Sequence, residues 1–119
     1  MFSVKKRLSW IDSATSKFGN VCAKYWDGLL VDYFEISGAC AIVKGVRSID
    51  DFSYEMKMNA VNQSLNPKAQ TVFVPATPEN MHITSSLVKQ IFGLGGKIDC
   101  LVPKEILMNL KKTMGEAKI

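Results

Sequence analysis

A chain of 119 residues, 47% hydrophobic and 22% charged, with a formal net charge of +4, has the composition of one globular domain and not of a disordered segment. Its pI near 9.0 points toward anionic partners. The basic residues are scattered, with no run longer than Lys5-Lys6-Arg7, which suits a nucleotide better than a nucleic-acid duplex. Cys22, Cys40 and Cys100 form no CxxC pair, so neither a disulfide framework nor a zinc site is suggested and a reducing, cytoplasmic setting is expected. The basic start is followed by a mixed stretch rather than a signal-peptide core. No apolar run approaches the roughly 20 residues of a membrane span, so no membrane partner is expected.

In chain order, Ser3 is placed to cap a first helix. Its apolar positions Val4, Leu8, Ile11, Ala14 or Thr15, and Phe18 recur at spacings of three and four, and Gly19-Asn20 ends it. Val21 to Trp26 reads as a short strand. Asp27 is a plausible cap for a helix over Gly28 to Ser37, stopped by Gly38. The apolar run Ala39 to Val43 suits a buried strand, and Gly45 gives the backbone freedom at its end. A long helix is predicted over Ile49 to Asn66, with Phe52, Met56, Ala60, Gln63 and Leu65 near one face and Asn66-Pro67 as its breaker. Thr71 to Val74 is a third strand. Thr84 or Ser85 caps a helix running to Phe92, stopped by Gly93, Gly95 and Gly96, and Pro103 suits the first turn of a last helix through Lys112. Strands separated by helices mean α/β with a parallel sheet, in one domain spanning residues 1–119. Three strands make a thin sheet, because parallel sheets are covered on both faces and usually have more.

Ligands of open α/β sheets bind at the strand C-terminal ends, where two loops are expected: Lys44 to Ser48 and Pro75 to Ser86. The first carries the cations Lys44 and Arg47 beside a helix start. The second leads Thr84-Ser85-Ser86 into another helix start, so hydroxyls and unpaired amides gather there. The simpler readings are a plain turn at Gly45, a surface charge at Arg47 and an ordinary cap at Thr84 to Ser86. Glu55 has no obvious partner, since Lys57 does not face it. His82 is the only histidine, and a lone loop histidine is more often incidental than catalytic. No Ser-His-Asp set, GxxxxGK[ST], GxGxxG or metal-ligand cluster is visible, so no catalytic residue and no metal site is assigned.

Several stretches together carry a resemblance. Val43-Lys44-Gly45-Val46-Arg47-Ser48, Asp51-Phe52-Ser53-Tyr54-Glu55, Asn62, Leu65 and Ile83-Thr84-Ser85-Ser86-x-Val88-Lys89 resemble, in order and spacing, the bacterial phosphopantetheine adenylyltransferases. The resemblance implies a Rossmann-like nucleotidyltransferase fold. The implied reaction joins AMP from ATP, with its Mg2+, to 4'-phosphopantetheine, giving dephospho-coenzyme A and pyrophosphate. It puts Gly45, Val46, Arg47, Glu55, Asn80, Met81, His82, Ile83, Thr84, Ser85 and Ser86 on ATP, and Leu30 and Lys44 on phosphopantetheine. It also implies a homo-oligomer, a hexamer in the family. Lys44 stands where the family usually has arginine, a point charge in place of a bidentate fork.

The family's first quarter, with its Thr-Phe-Asp-Pro and His-x-Gly-His-like motifs and two central strands, has no counterpart in these residues. The expectation is therefore a C-terminal portion with an incomplete sheet and little turnover alone. The competing reading is a noncatalytic nucleotide-binding module or a decayed paralogue that pairs with a full-length subunit.

Overall fold

The computed structural model describes residues 2–115. In chain order the elements are α1 (Val4–Thr15), α2 (Leu30–Ile36), β1 (Ile42–Val46), α3 (Ile49–Leu65), β2 (Thr71–Pro75), α4 (Ser85–Gly93) and α5 (Lys104–Gly115). Contacts gather them into two units, one of Trp26–His82 and the other of the described residues before and after it. No described helix is long and apolar enough to cross a membrane.

The central unit is a β-α-β motif with α2 leading into it. β1 and β2 pair in parallel, in the register Ile42 to Thr71 through Val46 to Pro75. Both strands therefore discharge their loops at the same end. The first strand begins at Ile42 rather than at Ala39 because a ladder needs a neighbour. Opposite Ala39 to Ala41 the partner chain segment is still turning, with Ala69 N–H donating to Asn66 and Gln70 N–H to Lys68. As a result Lys44, Gly45 and Val46 belong to the strand, and the turn contains only Arg47 and Ser48. Gly45 has no positive φ, so the turn glycine expected there is a strand residue.

Val21 to Trp26 forms no strand among the described residues. Extended backbone without a neighbouring ladder remains irregular, and here local bonding takes over at its end. The Trp26 indole Nε1 donates to the Leu29 carbonyl at 2.9 Å, and that carbonyl also takes the Asp32 and Tyr33 amides. Gly28 makes room for this: a Cβ there would lie 2.9 Å from the indole nitrogen. The helix cap accordingly falls on Leu29, without a side-chain bond, and not on Asp27. Gly38 closes α2 as predicted. With φ at 64°, it donates to Glu35 while Ala39 donates to Phe34, the paired bonds of a Schellman motif.

The core of this unit is Val31, Phe34, Ile42 and Ala69, extended by an edge-to-face pair of Phe52 and Phe73 at 5.2 Å. α3 departs from the expected pattern. Asp51, Glu55, Asn59 and Asn62 lie at i, i+4, i+8 and i+11 and, with Gln63, are its half-buried or buried positions, Asn62 being 7% exposed. Phe52, Met56 and Leu65, which their spacing groups near one face, are 42%, 42% and 55% exposed. A helix whose sheltered stripe is polar is not held by hydrophobic burial alone. One sheet face is likewise open, with Val43, Val72 and Val74 exposed.

In the other unit, Ser3 caps α1 by accepting the Lys6 amide. Trp10, Ile98 and Leu110 are buried together, flanked by Phe2, Val88, Ile91, Phe92, Leu101, Val102, Ile106 and Leu107. α4 ends in a second Schellman motif, Gly95 at φ 80° donating to Phe92 and Gly96 to Ile91. Pro103 sits just ahead of α5, its carbonyl taking the Ile106 and Leu107 amides.

Candidate functional site

The end of β1 and the first turns of α3 bring four charged side chains together. Ser48 is the N-cap of α3, its hydroxyl accepting the Asp51 amide at 3.1 Å. This holds Asp51 one turn inside the helix, directly behind Arg47. The Asp51 carboxylate then accepts from Arg47 three times: from Nε at 2.9 Å, from the backbone amide at 3.3 Å and from Nη2 at 3.5 Å. The Arg47 hydrogen bond, ahead of the cost of partial burial, holds the Asp51 carboxyl below the usual carboxylate range. One turn further along α3, Glu55 Oε2 lies 3.3 Å from Lys44 Nζ. Glu55 thus has the partner that helix spacing could not supply, contributed by the strand beside it.

Lys44 and Arg47 are each faced by one carboxylate of α3. Asn59 extends the same stripe, and its Oδ1 is buried without a hydrogen-bond partner among the described residues, as is the Thr71 hydroxyl. Such atoms are costly in a sealed core and ordinary in a site that meets polar ligand groups or water. Gly45 lies between Lys44 and Val46 with nothing within 4 Å of the position a Cβ would take.

The β2 exit loop is tied to the same strand ends, Ala76 N–H donating to the Val46 carbonyl at 2.8 Å. Asn80 binds within the loop, its amide reaching the Thr77 carbonyl at 2.8 Å and its side-chain Nδ2 the Thr77 hydroxyl at 3.0 Å. The Glu79 carboxyl is held low by the backbone amide of Glu79 itself and then by the Thr77 side chain. Met81 and His82 are exposed. Of the expected ATP residues, Gly45, Val46, Arg47, Glu55, Asn80, Met81 and His82 therefore share the central unit. Leu30, expected on phosphopantetheine, opens α2 and is 38% exposed.

Ile83, Thr84, Ser85 and Ser86 belong to the other unit. Thr84 caps α4, its hydroxyl taking the Leu87 amide at 3.1 Å, and Ser85 and Ser86 are exposed at the helix start. Ile83, Thr84 and Ser85 line a cavity of about 700 Å³ together with Phe2, Trp10 and Val88, and the cations Arg7 and Lys89 stand on its wall. Sequence reasoning gave Arg7, Lys89 and Asp51 no place among the site residues. Asp51 had a readable signal: it stands four residues after Arg47 and three after a serine cap, the spacing at which a first-turn carboxylate reaches back. Arg7 and Lys89 had none, because their shared wall is made by long-range packing. Among the described residues no three His, Cys, Asp or Glu converge on a metal position.

No family profile matches the chain. Individual relatives do match, along nearly all of it. The chain is 36% identical over 118 residues to a phosphopantetheine adenylyltransferase of Clostridium perfringens, covering 99% of this chain and 72% of the relative. The chain belongs to the phosphopantetheine adenylyltransferase family. A phosphopantetheine adenylyltransferase of Clostridium botulinum is 38% identical over 118 residues, again 99% and 72% of the two chains. One of Caldanaerobacter subterraneus is 41% identical over 103 residues, 87% of this chain and 64% of the relative. By family the chain is an adenylyltransferase, and its mixed α/β architecture with a small parallel sheet is consistent with a Rossmann-like nucleotidyltransferase.

Proposed function

We propose that this chain carries the nucleotide-contacting part of an enzyme that transfers AMP from ATP to 4'-phosphopantetheine. The observation that carries the reading is the polar sheltered face of α3, whose Asp51 and Glu55 hold Arg47 and Lys44 at the C-terminal end of a parallel sheet. In open α/β sheets that end receives the ligand. Arg47 meets the ATP phosphates and Lys44 the phosphate of phosphopantetheine. The strand backbone at Gly45 and Val46, with Glu55, follows the nucleoside. The family resemblance assigns Asn80, Met81, His82 and Ile83 to the adenine side of ATP, and Thr84, Ser85 and Ser86 to its phosphates, for which a helix start supplies amides and hydroxyls. Leu30 gives the pantetheine arm an apolar contact.

In the reaction a phosphate oxygen of phosphopantetheine attacks the α-phosphorus of ATP. The new O–P bond forms as the bond to the β-phosphate bridging oxygen breaks, and pyrophosphate leaves with the electron pair. No protein nucleophile is required; positioning and charge stabilisation suffice. Mg2+ would accompany ATP on its phosphates and waters. The described carboxylates offer it no cage, and no step is assigned to it.

On this reading residues 1–119 correspond to the C-terminal portion of one nucleotidyltransferase domain. The family's first quarter would add the His-x-Gly-His-like motif and two strands to the open sheet. Oligomerisation, as expected of the family, would give the exposed α3 stripe Tyr54, Met58, Val61 and Leu65 a partner. The test is formation of dephospho-coenzyme A from ATP and phosphopantetheine, with and without an added N-terminal segment of a relative. Turnover should appear or rise with the segment; full turnover by the 119 residues alone would overturn the partial-site reading.

A further inference from the structure

We propose that Asp51 is a positioning residue: it sets the plane of the Arg47 guanidinium before a phosphate arrives, and ATP affinity depends on that setting. The inference rests on the reading above, in which Arg47 meets ATP phosphates. Three observations carry it. Asp51 accepts from Nε, Nη2 and the backbone amide of one arginine, so it fixes the side chain at both its root and its head. Its own position is fixed by the Ser48 cap. Its carboxyl is held low by the same arginine, so the pair is charged throughout the neutral range.

A free arginine side chain holds many rotamers, and ordering it on binding lowers affinity. Here the turn between β1 and α3 has already done so. Arg47 is 40% and Asp51 33% exposed at the side chain, so the direct ion pair adds little to folding stability. Its value lies in orientation.

Charge and positioning predict opposite signs when the carboxylate is neutralised. Asp51→Asn keeps the side-chain shape and removes one negative charge near the phosphates. If Asp51 were only a neighbouring charge, ATP would bind more tightly. If it positions Arg47, ATP binds more weakly, by about fivefold, the scale of one lost orienting contact.

Calorimetric titration of the full chain with MgATP tests this with Asp51→Asn, Arg47→Ala and the double variant. The expected result is weaker binding in each single variant and no further loss in the double variant, since Asp51 acts only through Arg47. Tighter or unchanged binding by Asp51→Asn overturns the inference. If Arg47→Ala binds as wild type, the ATP role of Arg47 fails instead, which separates the two ideas. A ligand-free readout accompanies it, the Arg47 Nε–H exchange rate by NMR. That proton should be protected in the wild type and exchange at least about fivefold faster in Asp51→Asn. Equal rates in folded proteins overturn the positioning role even if no ATP binds.

Discussion

Asp51 and Glu55 do the same thing one helical turn apart: each turns a carboxylate toward a cation on or just beyond β1. The chain therefore holds the cations Lys44 and Arg47 in a nearly neutral array with two carboxylates already in place. For Asp51 this has a pH consequence. Its folded-state pKa is depressed, so the stabilisation from the Arg47 pair is present above the unfolded carboxylate value and is lost only as pH falls through the lower folded value. The window thus lies below about pH 4. In carboxyl-carbon NMR the Asp51 titration should have its midpoint below that of an aspartate in an unfolded peptide. A midpoint at or above the peptide value would contradict the geometry.

At the scale of elements, most starts and stops were legible because they depend on a few neighbouring residues. Ser3, Ser48 and Thr84 cap their helices through hydroxyls, and Gly38 and Gly95 close theirs with positive φ. Ser48 ends the loop after β1, and the bond it makes to the Asp51 amide gives it a measurable role. Ser48→Ala should destabilise the fold by about 1 kcal/mol, read from the midpoint of urea denaturation, and unchanged stability would show that the cap is not needed. What stayed illegible depends on neighbours far away in sequence. Ala39 to Ala41 has strand composition but no partner segment beside it, so β1 starts three residues later. Val21 to Trp26 fails as a strand for the same reason. The spacing over α3 predicts a helix, but which of its faces is sheltered depends on those distant neighbours. The apolar set at Phe52, Met56 and Leu65 is substantially exposed, and the polar set at Asp51, Glu55, Asn59 and Asn62 is sheltered. This reverses the rule that assigns the apolar stripe to the interior.

At the scale of the whole molecule, family and reaction class were legible through several short stretches occurring together, and relatives 36% and 41% identical agree with them. The cations Lys44 and Arg47 and the carboxylate Glu55 were visible as members of one short stretch. The pairing of its charges was not, because Lys44 and Glu55 are eleven positions apart and meet only when the strand lies beside the helix. In the proposed function, ATP is held at this array by Arg47. Calorimetric titration of MgATP into the wild-type chain and into Arg47→Ala tests it most directly. Saturable binding by the wild type and at least about tenfold weaker binding by the variant are expected, the loss of one charge-assisted contact. Equal affinity in the two proteins would contradict it.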